Sequence, residues 1–225
     1  METVFRKELK YLIDHKTSLL LQQELSKIMH RDAQGDNGCY FIRSQYYDSL
    51  QDNDLWDNLD GLYEKSKIRL RIYSLNATTV KLEYKCKNGD NGVKYSLPIT
   101  REEALRMEQG DVSFLHNYDS ELATRLFLRM NQGCYRPKTI IDYQRLAFEY
   151  PAGDVRITFD TDMRTAIYPY GLFDDVTTTA FSNTEQVLME VKYTGFLPET
   201  IAEILKDANC LYTSHSKYSR ARLII

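Results

Sequence analysis

"KLEYKCK", residues 81–87, alternates in a way that decides what surrounds it. Leu82, Tyr84 and Cys86 share one parity and Lys81, Lys85 and Lys87 the other, with Glu83 between them, as in a β-strand whose side chains point alternately to two faces. Lysines two positions apart lie about 7 Å from one another and repel by about 2 kcal/mol at an effective dielectric near 20. On an open, watery face that cost nearly vanishes, so the fold turns on what this face meets.

The neighbouring segments repeat the pattern. "NGDNG" (88–92) signals a hairpin, because Asn-Gly pairs supply the positive φ angles of tight turns. The returning "GVKYSLPI" (92–99) sets Val93, Tyr95 and Leu97 against Lys94 and Ser96. Upstream, "KIRLRIY" (67–73) sets Ile68, Leu70 and Ile72 against Lys67, Arg69 and Arg71. "VFRKELKYLI" (4–13) places Lys7, Leu9, Tyr11 and Ile13 opposite Arg6, Glu8 and Lys10, and "QVLMEVKY" (186–193) places Val187, Met189 and Val191 opposite Glu190 and Lys192. After a "GDNG" turn, "CYFIRSQYYDS" (39–49) reads as a strand, as do 139–149 and 155–162, joined by a "YPAGD" turn. The 139–149 segment alternates poorly.

Helices are expected between these strands. One covers 16–30 with Leu19, Leu20 and Ile28 on its apolar stripe, and a polar one covers 50–65. Thr100 with Glu103 forms a capping box, behind an Ile99 staple, for a helix over 101–109. Another runs over 119–131 with Leu122, Leu126 and Met130 and stops near Gly133, and Pro198 opens a last helix through about 206.

The polar parity of the strands collects twelve bases, Arg6, Lys10, Lys67, Arg69, Arg71, Lys81, Lys85, Lys87, Lys94, Arg145, Arg156 and Lys192. It holds six acids, Glu8, Glu83, Glu149, Asp160, Asp162 and Glu190. These faces therefore carry +6 in a chain of net charge −3, and the remainder carries −9. A wet face of an antiparallel sheet explains the alternation but not the sorting of charge. A closed or nearly closed barrel lined by these residues, with the apolar parity packed outward on the helices, explains both. The fold class is α+β, an antiparallel β tunnel barrel with a basic lumen and helices packed on the outside. Such a lumen calls for phosphate or a comparable polyanion, Arg gripping it with a forked donor pair and Lys as a mobile point charge. A carboxylate among bases and phosphates suits Mg²⁺ or Mn²⁺, and Glu190 is the best placed; the alternative is a plain Glu190–Lys192 pair.

Composition narrows the class further. At 225 residues and 43% hydrophobic the chain can bury a sizeable core, and one domain is expected, since neither a linker nor an internal repeat interrupts it. The charged start and the lack of a long apolar run predict a soluble, cytoplasmic protein. Cys39, Cys86, Cys134 and Cys210 are scattered and share no zinc-like spacing with the four histidines, so reduced thiols are expected. The negative net charge argues against coating nucleic acid.

"RKELKYLI", "IRLRIY", "KLEYKCK", "DYQR", "DVRITFDTDMRT", "LMEVKY" and "SHSKYSR" occur here in the order found in the VTC-type polyphosphate polymerase domain, a branch of the triphosphate tunnel metalloenzyme or CYTH-like superfamily. The resemblance spans about residues 4–222 and implies a single VTC-like triphosphate tunnel domain over 1–225. It implies that Arg6, Lys10, Arg69, Arg71, Lys85, Arg145 and Arg156 grip phosphate, with Lys94 a looser match. Lys192 joins the phosphate-binding set, Glu190 resembles the metal ligand, and Lys217 resembles a base near a tunnel mouth; without the resemblance, "SHSKYSRAR" reads as an exposed basic tail. Arg6 stands where the wider superfamily's ExExK has its first Glu, which resembles the polymerase branch.

The implied partners are a nucleoside triphosphate and polyphosphate, with Mn²⁺ or Mg²⁺ as cofactor and no nucleic acid. A separate membrane protein holding the chain at the inner face of a membrane, and the oligomeric state, are left open. Transfer of the ATP γ-phosphoryl group to a chain end needs no general base, because the attacking phosphate oxygen is already ionised. The rivals are a triphosphate or polyphosphate hydrolase, with Glu8 and Glu83 as further metal ligands, and a polyphosphate-binding module without turnover.

Overall fold

The computed structural model describes residues 6–35, 37–89, 91–167, 169–176, 178–182, 185–208, 210–214 and 216–224, with the backbone alone at Arg6, Asn91, Ile167, Asp207 and Leu211. The strands are β1 (Arg6–Asp14), β2 (His30–Arg31), β3 (Cys39–Asp48), β4 (Glu64–Ile72), β5 (Thr79–Asn88), β6 (Asn91–Thr100), β7 (Arg136–Tyr150), β8 (Val155–Ile167), β9 (Thr179–Ala180), β10 (Gln186–Thr194) and β11 (Leu211–Tyr212). The helices are α1 (His15–Leu25), α2 (Asn53–Leu59), α3 (Arg101–Glu108), α4 (Glu121–Gln132), α5 (Glu199–Asp207) and α6 (Lys217–Leu223). The fold is α+β, as expected, and its antiparallel sheet follows the order β11-β1-β10-β8-β7-β3-β4-β5-β6. Among the described residues this path has two ends, so the hydrogen-bonded ladder does not close. One end, β11, is only two residues long, and β6 loses a donor at Pro98. No helix among the described residues is long and apolar enough to cross a membrane.

By contact density the chain forms two compact units, one of residues 1–41, 143–163 and 180–216, the other of 42–142, 164–179 and 217–225. In the second unit, β4, β5 and β6 form the expected meander, closed by the Asn-Gly hairpin with Asn88 paired to Asn91. Its apolar parity, Ile68, Leu70, Ile72, Val80, Leu82, Leu97 and Ile99, packs on Ala104 and Met107 of α3 and on Ala123, Leu126 and Met130 of α4. Each such aliphatic side chain taken fully from water contributes about 1.5–3 kcal/mol, which is what pins the parity of the whole meander. The capping box opens α3 as read: Thr100 Oγ1 accepts from Glu103 N, and Glu103 Oε2 accepts from Thr100 N.

The polar helix expected over 50–65 is shorter. Asp48 takes the N–H groups of Asp54 and Leu55 and so sets its start, while Gly61, at φ +68, turns the chain toward β4 at Glu64.

In the first unit β1 pairs with β10, and β10 with β8. Val187, Met189 and Val191 join Ile157 and Phe159 against Leu21 and Leu25 of α1 and Ile201 of α5. The helix at 16–30 is also shorter than expected, and its stripe is different. Asp14 caps Thr17 N at 2.6 Å, and the buried positions become Ser18, Leu21 and Leu25, leaving Leu19 and Leu20 exposed; Ile28 still packs on this core from the following turn. The "YPAGD" turn requires Gly153: its φ is +76, and a Cβ there would lie 2.6 Å from the Phe196 carbonyl oxygen. Strand β8 runs beyond the expected end at 162, past Asp162, whose φ of 47 interrupts regular extension.

Candidate functional site

Register places the bases of the second unit in rows across β3, β4, β5 and β6. Lys67 pairs with Lys85 and Lys85 with Lys94, so three lysines stand side by side across three strands. Like charges directly opposite on one face are destabilising, with Cβ atoms only about 5 Å apart. The next row is Tyr46, Arg69, Glu83 and Ser96, and the one after it Ser44, Arg71, Lys81 and Pro98. Lys94 of the lysine row reaches across to Glu83 at 3.1 Å and Lys67 donates to Asn58 at 3.1 Å, and three lysines in register are an arrangement a polyanion would relieve.

Glu83 is the internal counter-charge of the middle row. It is 1% exposed, receives Arg69 Nε at 2.6 Å and Lys94 Nζ at 3.1 Å, and lies 3.8 Å from Arg71 Nε. Burial alone would raise its pKa, but Arg69, Arg71 and Lys94 outweigh burial and hold it well below the ordinary carboxylate range. Arg69 also donates to the Tyr46 hydroxyl at 2.9 Å and Arg71 to Ser44 Oγ at 3.2 Å. The arginine forks are thus set by packing and hydrogen bonds before any ligand arrives. Lys217, the first residue of α6, is half-buried and adds its field to the Tyr46 hydroxyl. Its neighbour Tyr218 stacks on Tyr46 at 5.0 Å, and Lys217 therefore belongs to the Arg69 neighbourhood instead of an exposed tail.

The first unit holds the other group. Arg145 forks onto Asp160, Nε to Oδ1 at 2.6 Å and Nη2 to Oδ2 at 2.7 Å, and Nη2 lies 3.7 Å from Glu190 Oε2. Burial would weaken the Arg145 charge, yet Asp160 and Glu190 raise its pKa well above the ordinary value. Lys192 donates to Glu190 at 2.9 Å, Lys10 stands opposite Glu190 across β1 and β10, and its Nζ is 3.3 Å from Glu8. Arg156 donates to Glu149, Asp32 and the Tyr40 hydroxyl. The Arg6 backbone pairs with Thr194, and its side chain lies outside what is described.

Burial separates this arrangement from an ordinary wet sheet face. Arg69, Arg71 and Arg145 are each at most 8% exposed, so the polar parity is covered at these arginines, while Lys81, Lys87, Lys94 and Ser96 are exposed. For a divalent cation, the donor set fits one held by a single carboxylate and by phosphate oxygens. Asp160 is committed to Arg145, whereas Thr158, directly opposite Glu190, has a buried Oγ1 with no hydrogen-bond partner among the described residues. Those residues contain no cluster of three or more Asp, Glu, His or Cys suited to a metal.

Sequence reasoning did not single out Ser44 and Tyr46. Strand β3 carries polar groups on both parities, because Arg43 on its apolar side is buried in a fork onto Asp142, and alternation therefore gave no signal there.

The solved structures that resemble the chain share its fold at low identity. A presumed adenylate cyclase from Bacillus halodurans matches at a TM-score of 0.53 and 13% identity, over 94% of this chain and 95% of that one. The PH1819 protein from Pyrococcus horikoshii OT3 matches at 0.50 and 14% identity, over 98% and 99%. A search of curated proteins found no match. The family model described as "VTC domain" matches residues 5–225, nearly the whole length, and the chain belongs to that family.

Proposed function

We propose that this chain is a polyphosphate polymerase of the triphosphate-binding tunnel enzymes, acting as one functional domain over residues 1–225. It transfers the ATP γ-phosphoryl group to the end of a polyphosphate chain. The observation that carries this is the row Lys67, Lys85 and Lys94 beside the preset forks of Arg69 and Arg71. Such a face suits a chain of linked phosphates better than a single small anion.

In the transfer, an oxygen of the chain end forms a bond to the γ-phosphorus as the bond to the β–γ bridging oxygen breaks, and ADP leaves. The transition state is loose, with charge on the equatorial oxygens, so fixed cations and positioning supply most of the catalysis. Lys10, Arg69, Arg71, Lys85, Arg145 and Arg156 hold that charge, while Arg6, Lys94, Lys192 and Lys217 grip the phosphates on either side. Glu190 would hold Mn²⁺ or Mg²⁺, which would supply positive charge against the charge that develops on the transferring phosphoryl group. Glu83 is bound to three cations, which suits a positioning role better than the metal ligation a hydrolase would ask of it.

Purified protein incubated with ATP and Mn²⁺ should produce polyphosphate ladders on a gel. Free phosphate without ladders would mean hydrolysis, and neither product would mean a binding module.

A further inference from the structure

Two hydroxyls on β3 are left half-used by the arginines they serve. Ser44 Oγ accepts from Arg71 Nε at 3.2 Å, and the Tyr46 hydroxyl accepts from Arg69 Nη1 at 2.9 Å. A guanidinium can only donate, so in each pair the hydroxyl oxygen is the acceptor and its own hydrogen is still available. Among the described residues neither hydrogen is given to an acceptor. Both groups are buried, and an unmet buried donor costs on the order of 1–3 kcal/mol.

The surroundings say what would accept them. Arg69 and Arg71 face these hydroxyls from β4, Glu83 stands beyond Arg69 on β5, and Lys217 and Tyr218 face Tyr46 from α6. Glu83 is saturated by its cations, and the Tyr218 hydroxyl donates to Asp48 at 2.6 Å. The stack of Tyr46 on Tyr218, with planes 19° apart, fixes the direction of the phenol. An anion oxygen bound by the two arginines is the acceptor this geometry lacks.

We propose that the Ser44 and Tyr46 hydroxyls donate to non-bridging phosphate oxygens held by Arg69 and Arg71. They form a pair of neutral, directional contacts within the cationic face. This rests on the phosphate-binding role proposed above. The two donors add recognition of oxygen positions without adding charge, so their loss is separable from loss of a cation.

The test is calorimetric titration of the full chain with sodium tripolyphosphate at several salt concentrations, for wild type, Tyr46→Phe, Ser44→Ala and Lys85→Met. Each hydroxyl deletion should weaken binding about tenfold at every salt concentration while leaving the salt slope as in wild type. Lys85→Met should instead flatten the slope by about one. Ser44→Ala leaves the tyrosine stack intact and serves as the independent readout of the pair. Unchanged affinity in both hydroxyl variants would overturn the proposal. So would a flattened slope, because the hydroxyl would then be acting only by holding its arginine. If wild type itself binds no tripolyphosphate, the phosphate-binding role fails first and takes the proposal with it.

Discussion

Arg69 and Glu83 stand opposite each other across β4 and β5, with the guanidinium 2.6 Å from a carboxylate that is 1% exposed. The site arginines are therefore balanced by an internal acid when no ligand is present. Glu83→Gln keeps the shape and removes the charge, leaving Arg69 and Arg71 buried without it, at a cost of about 3 kcal/mol in urea unfolding. Tripolyphosphate should restore more stability to Glu83→Gln than to wild type, since the anion replaces the missing charge; equal stabilisation would contradict that role.

The same residue sets an acid limb. Its folded pKa is depressed, so its stabilisation is complete above the unfolded value near 4.5 and is lost as pH falls below it. Unfolding free energy followed from about pH 5 downward should drop more steeply in wild type than in Glu83→Gln.

Lysines 67, 85 and 94 stand in register across three strands, and like charges directly opposite on one face are destabilising. Lys85→Met should gain up to about 0.5 kcal/mol in unfolding without ligand and lose affinity for tripolyphosphate. Stability and affinity moving in opposite directions is the signature of a binding residue, and a loss of both would point to a structural one.

Glu190 is held by Lys192 and lies within reach of Arg145. Glu190→Gln should lower ATP-dependent chain synthesis on the order of 100-fold while tripolyphosphate binding persists. Undiminished synthesis would remove Glu190 from the metal assignment.

Asp54 gives a pH response of the opposite sign. It is fully buried, and burial, outweighing its contact with Arg129, raises its pKa to about 6. A raised folded pKa contributes stability at low pH that is lost as pH climbs through about 6. Wild type should lose up to about 3 kcal/mol relative to Asp54→Asn between about pH 4 and 6, read from paired urea melts.

Much of this was legible in the sequence because strand parity is local. Leu82 and Tyr84 against Glu83 and Lys85, the Asn-Gly hairpin and the Thr100–Glu103 box each depend on residues a few positions apart, and each appears in the fold. Register between distant strands is not local. That Lys85 would lie between Lys67 and Lys94, or that Asp160 would take two donors of Arg145, follows from pairings no single segment encodes. The stripe of α1 differs from the sequence pattern for a related reason: it is chosen by the Asp14 cap and the core it meets, so Leu21 is buried and Leu19 is not. The role of Glu83 is not legible from its place between the lysines, because a sequence shows the spacing of charges along one strand and not the arginines brought beside it.

The proposed function comes down to one claim, that the buried bases on the polar face hold a phosphate chain. Calorimetric titration of the wild-type chain with tripolyphosphate at increasing salt measures it directly. Binding whose logarithmic affinity falls steeply with the logarithm of salt, by several units of slope, is the expected result, because several cations are engaged at once. Absence of binding at low salt, or an affinity indifferent to salt, would contradict it.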